Sequence, residues 1–263
     1  MPAILLDIDG VLHVSGEAIP GAAEAVRRVR ASHSALRFLT NNTTRARSQL
    51  VAELRRLGFE LEEDEVETTP LAAGRLLAGK RVLALTMRSI RRDLARFVEL
   101  VGEDADVVLT GGADETDETE EVFSWRNLNR AFGELRRGAR LVSLHRNRWW
   151  QTAGGPLLDA GLYVAGLEYA ANVEAEVVGK PSRAYFQGAL ASAGARAEEA
   201  TMVGDDVEAD VGGAKAVGMR AVLVRTGKFR DEGLAAADPE PDAVLDSIAK
   251  LPDWLRTNVE ARA

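Results

Sequence analysis

The chain contains no cysteine. That absence rules out disulfides, thiolate metal sites and a cysteine nucleophile, and it fits a cytoplasmic address. No apolar run approaches the ~18 to 20 residues needed to span a bilayer. The N-terminus also lacks a basic region followed by an apolar stretch of signal-peptide type, so the chain is expected to start at or near Met1 and to act away from membranes. A basic excess is missing too. The formal charge of -8 argues against a nucleic-acid partner, whose footprint on a protein is a basic stripe. Small anions remain open as ligands, because they need only a local positive site.

What is present suffices for real cores: 263 residues with 46% apolar side chains can hold one large domain or two modest ones. The organising stretch is N-terminal, where Ala3-Ile4-Leu5-Leu6 runs into Asp7-Ile8-Asp9-Gly10-Val11-Leu12. A short apolar run ending in two acids and a glycine reads as a buried parallel strand whose carboxyl end opens into a site. Two neighbouring carboxylates repel and resist burial unless a cation or hydrogen-bond donors compensate them. Taken alone, the string also fits a polar turn, so the rest of the chain decides its meaning.

Strand, polar tip and helix then alternate. A helix over Ala22 to Arg30 is followed by a strand, Leu36 to Leu39, ending in Thr40-Asn41-Asn42-Thr43-Thr44, and by a helix from Arg45 to Leu57 closed by Gly58. An acidic connector leads to a short helix, Pro70 to Leu77. The rhythm restarts near Lys80 with strands at Val82 to Leu85, Val107 to Leu109 and Leu141 to Leu144 and helices at Ser89 to Leu100 and Val122 to Arg136. Gly111 to Glu121, acidic and without apolar periodicity, reads as a solvated loop rather than a cation site, since it lacks the spaced oxygen ligands and turn glycine of an EF-hand. A helix over Leu157 to Ala170 follows. Val177-Val178-Gly179-Lys180-Pro181 then precedes a helix, Ser182 to Ala193, and Thr201-Met202-Val203 ends in Gly204-Asp205-Asp206. Asp210 and Gly212-Gly213 lead a helix through Val217. Ala221 to Val224 reads as the last strand, ahead of a terminal helix around Ala243 to Leu251. Such alternation predicts an α/β fold, a doubly wound (Rossmann-like) parallel-sheet core with an inserted smaller α/β domain.

Three apolar runs of the outer segments thus end in Asp7/Asp9, Thr40/Asn41 and Asp205/Asp206, and Lys180 opens a fourth element. A nucleophile, an acid/base, a hydroxyl and amide for an anion, a cation and a metal carboxylate are the groups that phosphoryl transfer needs. At these residues the chain resembles the haloacid dehalogenase (HAD) superfamily of phosphohydrolases. Its four motifs correspond, in order, to Asp7-Ile8-Asp9-Gly10-Val11-Leu12, Leu39-Thr40-Asn41-Asn42, Gly179-Lys180-Pro181 and Gly204-Asp205-Asp206 to Asp210. The insert between Thr40 and Lys180 lies where that superfamily carries a type 2 cap. Thr40 to Thr43, and Gly161 to Ala170 ahead of Gly179-Lys180-Pro181-Ser182, are similar to its class IIA branch, the NagD-type and phospholysine phosphohistidine inorganic pyrophosphate phosphatase group.

The resemblance implies a catalytic core in residues 1–70 and 177–263 and a cap in 71–176. It implies that Asp7 attacks phosphorus to form an aspartyl-phosphate and that Asp9 acts as general acid and then base. Mg²⁺ is the implied cofactor, held by Asp7, the backbone carbonyl of Asp9 and Asp205. Lys180 would neutralise charge, while Thr40 and the amide of Asn41, with Asn42 beside them, would hold phosphate oxygens. Asp210 matches the family's distal acid, acting through Lys180 or metal-bound water, and Asp206 stands one layer behind the metal. Asp9 favours a phosphatase over a dehalogenase, because a halide leaves without a proton. In the cap, His145, Asn147 and Arg148 are the candidate substrate-selecting residues, within a His145 to Trp150 stretch similar to the phospholysine phosphohistidine group. A homodimer through the cap is the association common in this branch.

Each element also has a plainer reading. Thr40 to Thr44 suits a helix N-cap cluster, the acids after Gly204 suit a helix N-terminus, and Trp149 and Trp150 suit a cap core or subunit contact. Two rivals to the phosphatase stand beside it. A receiver-like phosphoacceptor module would be about half as long and need no insert, and a phosphate-binding scaffold on the same fold would have little use for Asp7, Asp9, Lys180 and Asp205 together.

Overall fold

The computed structural model describes residues 2–32, 35–152 and 155–258; Met1, the expected start, lies outside them. Its contacts divide the chain into two compact units. The first comprises Met1–Thr40, Leu50–Glu67 and Lys180–Ala263, the second Asn41–Gln49 and Thr68–Gly179.

The first unit is built on a six-stranded sheet. Its order is Ala243–Leu245, Arg220–Val224, Ala200–Gly204, Ala3–Asp7, Ala35–Thr40 and Val66–Thr68. The pairings from Ala243–Leu245 through Ala35–Thr40 are parallel. Ala3–Asp7 and Ala200–Gly204 are buried along their whole length, which is why they read as continuous apolar runs rather than alternating ones. The chain begins in the middle of this sheet and winds outward first to one side, then to the other. The reversal therefore falls between Ala3–Asp7 and Ala200–Gly204, and their carboxyl ends, Asp7 and Gly204-Asp205, flank the crevice where open α/β sheets bind ligands. The Ala22–Ala31 helix packs here through Ala22, Ala25, Val26 and Val29, spaced for one helical face, against Ile4, Leu6, Phe38 and Leu251 of the apolar core.

The second unit has its own five-stranded parallel sheet, ordered Glu176–Val177, Arg140–Ser143, Val107–Thr110, Arg81–Leu85 and Glu99–Leu100. Its cores are lined by residues such as Leu85, Val108, Phe123 and Leu141 on one side and Val82, Leu94, Val107 and Val142 on the other. An antiparallel hairpin pairs Trp149–Thr152 with Gly155–Leu158.

Four sequence expectations change. The acidic stretch after Gly111 is not all loop, because Asp117–Val122 is helical. Asp114 organises its start, its Oδ1 accepting from Thr116 N at 2.9 Å and from Thr119 Oγ1 at 3.0 Å, and Asp117, Glu118 and Glu120 favour the helix N-terminus electrostatically. The Ser89 to Leu100 helix stops at Leu94, and Glu99–Leu100 pairs with Arg81-Val82 as an edge strand. The 157–170 helix begins only at Gly161, because Leu157 and Leu158 belong to the hairpin. Ala243–Leu245 is a strand, held in register where Asp242 Oδ2 accepts from Ala221 N at 2.7 Å, and the terminal helix spans Leu251–Asn258.

Residues 41–49 group with the second unit rather than with the outer segments. Thr43 Oγ1 lies 2.9 Å from His145 Nε2, Ser89 Oγ donates to Thr44 O at 2.6 Å, and Arg47 N donates to Asp93 Oδ2 at 2.9 Å. These polar contacts reach across 45 to 102 positions of sequence, beyond any local pattern.

Candidate active site

Strand ends bring the acids of the first unit together. Asp7, Asp205 and Asp210 are all buried, and one oxygen of each lies within 4.8 Å of the others. Lys180 Nζ bridges two of them, donating to Asp7 Oδ1 and to Asp210 Oδ1, both at 2.7 Å. Asp210 spends its second oxygen on the backbone, where Oδ2 accepts from Asp205 N and Asp206 N at 3.2 Å each. Lys180 follows Val178-Gly179, Asp7 ends its strand and Asp205 follows the tip of Ala200–Gly204, so the ammonium links the Asp7 tip to Asp210, whose other oxygen in turn holds the Asp205 and Asp206 amides.

Asp205 is held by glycine-lined walls. Its Oδ2 accepts from Lys228 N at 2.6 Å, whereas its buried Oδ1 has no hydrogen-bond partner. A Cβ on Gly10 or on Gly227 would lie 1.9 Å from Asp205 Oδ2, and both glycines have positive φ, 85° and 61°. Thr226 Oγ1 in turn donates to Gly10 O, closing the turn. Thr226, Gly227 and Lys228 were not singled out from the sequence; their signal is position, since they form the tip after Arg220–Val224, the strand beside Ala200–Gly204.

A buried carboxylate oxygen without a donor is costly unless a cation faces it. Oxygen-only ligands at this spacing, with no cysteine or histidine among them, suit a hard divalent cation rather than zinc. Charge follows the same geometry. Burial, reinforced by the Asp210 charge, pushes the Asp205 carboxyl up to about 6 against the opposing Lys228 contacts. Burial is also the largest influence on Asp7, and with Asp210, Asp205 and Asp9 it outweighs Lys180 and raises the Asp7 carboxyl well above the usual range. Burial alone would depress the Lys180 ammonium, yet Asp210 and Asp7 outweigh it and hold it well above its ordinary value. Three buried carboxylates therefore face one ammonium, Lys180, which hydrogen-bonds to Asp7 and Asp210, with the Lys228 charge also acting on Asp205.

Asp9 sits apart from this knot, with its side chain 58% exposed. Its Oδ2 accepts from Thr40 Oγ1 at 3.2 Å, and His13 Nε2 lies 3.7 Å from its Oδ1. An exposed acid with a hydroxyl at one oxygen is placed to exchange protons with a bound group. Asp206 turns away from the cluster. Its Oδ1 accepts from Glu208 N at 3.0 Å and Ala209 N at 2.9 Å, capping the 207–212 turn, and its Oδ2 lies 3.6 Å from Lys228 Nζ.

The remaining sequence candidates belong to the second unit. Asn42 Oδ1 accepts from Thr44 N and Arg45 N, an Asx turn that already occupies this oxygen. Asn41 Oδ1 lies 3.5 Å from Thr69 Oγ1. His145 is buried: Nδ1 accepts from Asn147 N at 3.3 Å, so Nε2 carries the proton towards Thr43 Oγ1. Asn147 and Arg148 are exposed.

Known proteins resemble this chain along nearly its whole length. A family model described as haloacid dehalogenase-like hydrolase matches residues 4–99, and a second, HAD-hydrolase-like, matches 177–251. Haloacid dehalogenase-like hydrolase domain-containing protein 2 from Homo sapiens is 38% identical over 97% of this chain and 96% of its own length. Phospholysine phosphohistidine inorganic pyrophosphate phosphatase from Xenopus laevis is 40% identical over 96% and 94%. Among solved structures, a p-nitrophenyl phosphatase from Archaeoglobus fulgidus superposes with a TM-score of 0.88 at 28% identity, covering 97% of this chain and 99% of that one. A glycerol phosphate phosphatase from Mycobacterium tuberculosis, solved in complex with magnesium, superposes with a TM-score of 0.84 at 28% identity, covering 95% and 76%. With both outer segments matched and relatives aligned along nearly the whole chain, this protein belongs to the haloacid dehalogenase-like hydrolases, and those relatives named for an activity are phosphatases.

Proposed function

We propose that this chain is a Mg²⁺-dependent phosphatase that hydrolyses a small phosphorylated compound through an aspartyl-phosphate on Asp7. The observation that carries the reading is the buried Asp7–Lys180–Asp210 relay beside the unpartnered Asp205 Oδ1. Mg²⁺ would be held by Asp7, Asp205 and the Asp9 carbonyl, and when bound it would supply charge neutralisation for nucleophile and phosphate.

The protein's own groups account for the steps. Lys180 keeps one Asp7 oxygen engaged, leaving the carboxylate oriented for attack on phosphorus. The P–O bond to the leaving group breaks as the Asp7 O–P bond forms, and Asp9 gives its proton to the departing oxygen. Asp9, now ionised, takes a proton from the water that cleaves the acyl phosphate and regenerates Asp7. Thr40 Oγ1 and the Asn41 amide would hold phosphate oxygens at the tip of Ala35–Thr40. In this reading the core is 1–70 with 177–263 and the cap is 71–176, and Asn42, His145, Asn147 and Arg148 are counted among the substrate-binding residues. A cytoplasmic address and action without nucleic acid or membrane belong to the same proposal, and no helix among the described residues is long and apolar enough to cross a membrane.

A homodimer through the 161–171 helix is part of the proposal. Leu162 of this helix and Trp125 of the neighbouring Trp125–Arg136 helix are exposed and line an apolar cavity of about 370 Å³ together with Leu128 and Phe132, and Tyr169 is exposed as well.

The deciding experiment measures phosphate release from p-nitrophenyl phosphate, nucleoside monophosphates, sugar phosphates, pyrophosphate and phosphohistidine, with Mg²⁺ or chelator. Turnover should require metal and fall at least ~1,000-fold in Asp7→Asn, as expected when a nucleophile is removed. If neither protein turns over any compound while both bind phosphate, the scaffold reading replaces this one.

A further inference from the structure

The Arg183–Ala193 helix buries Tyr185, Phe186, Ala189 and Leu190. Tyr185 is the only one of these four with a polar side-chain atom, and a phenylalanine would fill nearly the same volume. Its hydroxyl therefore calls for an explanation in terms of what it meets.

It meets backbone. Thr40 N donates to Tyr185 Oη at 3.1 Å, and Oη lies 2.9 Å from Thr40 O and 3.0 Å from Glu67 O. A phenol has one proton, so it accepts from Thr40 N while donating to one of the two carbonyls. Strand geometry explains why this group is wanted. Leu39 O accepts from Ile8 N and thus faces Ala3–Asp7, so the N–H and C=O of the next residue, Thr40, face the opposite side, towards Val66–Thr68. At that place the phenol stands between the two strands and meets backbone groups of both, Thr40 of one and Glu67 of the other.

We infer that Tyr185 is a positioning residue for the reaction, acting through Thr40. The hydroxyl accepts from Thr40 N and lies within hydrogen-bonding distance of Thr40 O, which holds this residue's backbone and with it the direction of Thr40 Oγ1, 3.2 Å from Asp9 Oδ2. Five residues earlier the same segment supplies Lys180. One turn-and-helix unit thus delivers the cation to Asp7 and locks the hydroxyl that faces Asp9. The inference rests on the phosphatase reading, in which Thr40 holds phosphate.

The test is Tyr185→Phe in the full chain, assayed with p-nitrophenyl phosphate and Mg²⁺. Loss of a bond that positions transition-state contacts should lower kcat about tenfold with KM within about twofold. In a Thr40→Ala background the same change should cost less than about twofold, because Tyr185 then has nothing to position. A merely structural phenol would lower the melting temperature, leave kcat at 25 °C within about twofold and act additively with Thr40→Ala; that result overturns the inference. Amide hydrogen exchange of the native chain gives a readout independent of turnover and of the variant's folding. Thr40 N–H should be strongly protected, and exchange at a loop-like rate would overturn the clamp. If the native chain hydrolyses nothing, the phosphatase reading fails, and the exchange experiment still decides whether the clamp exists.

Discussion

At the scale of single residues, the site is organised by what each carboxylate oxygen has left to do. Asp210 has both oxygens engaged, one by Lys180 and one by two backbone N–H groups, while Asp205 Oδ1 has none. Asp205 is therefore the better ligand and Asp210 the better anchor. Asp210→Asn should lower kcat about 100-fold and destabilise the fold by about 3 kcal/mol, since an amide cannot serve an ammonium and two N–H donors together. Steady-state kinetics and urea denaturation measure both. The pH behaviour follows from Asp205. In the metal-free folded chain it titrates near 6, above its ordinary 3.8, so between those values the folded state keeps a proton that the unfolded state has released. Stability of the protein without metal should therefore fall as pH rises through this window, with Asp205 contributing up to roughly 3 kcal/mol of the fall. Asp7 shifts in the same direction, and Lys180 stays protonated throughout. Melting the chelated protein from pH 4.5 to 7.5 checks the sign, and a melting temperature that rises with pH contradicts it. Gly227 is the remaining residue-scale constraint. Its φ of 61° and the Cβ position 1.9 Å from Asp205 Oδ2 mean that Gly227→Ala should weaken Mg²⁺ binding ~10- to 100-fold in a calorimetric titration.

At the scale of elements, the parallel strands matter through their tips. The tips are legible in the sequence because a fully buried strand is an unbroken apolar run and its functional end is polar, as at Leu6-Asp7, Leu39-Thr40 and Val203-Gly204-Asp205. Elements with no such contrast are not. Asp117–Val122 buries only Val122, so it carries no helical stripe, and Ala243–Leu245 is a three-residue strand of half-buried side chains whose pairing depends on Asp242 and Ala221. Asp206 illustrates a motif residue with an element-scale duty. Its capping of the 207–212 turn predicts that Asp206→Ala costs about 1 kcal/mol of stability while leaving kcat within about threefold, in contrast to Asp210. A 100-fold loss of kcat in Asp206→Ala would place it with the metal ligands instead.

At the scale of the whole molecule, the proposed cation would couple chemistry to stability. A ligand that binds only the folded state stabilises by about 2.7 kcal/mol at 100 times its dissociation constant. Saturating Mg²⁺ should then raise the melting temperature by several degrees, and Asp205→Asn should abolish the shift. The proposed dimer is tested at the same scale. The Gly161–Ala171 helix is apolar on its exposed face as well as its buried one, the pattern of a helix with a partner. Sedimentation should show a dimer that Tyr169→Glu converts to monomer, and a monomeric native chain would remove this part of the proposal.

The sequence by itself determined the alternation of strands and helices, the parallel sheets, and the four polar tips at Asp7, Thr40, Lys180 and Asp205, because these depend on local periodicity and on residues adjacent in the chain. Tertiary structure alone decided which of those tips touch. Lys180 meets Asp7 across 173 residues, Tyr185 meets Thr40 across 145, and Thr43 with His145 draws residues 41–49 away from the segments that flank them. It also separated Asp206 from Asp210, four residues apart and alike in charge, by aiming one at a turn and the other at the cation. Such choices depend on side-chain direction and burial, which only the packed sheet supplies.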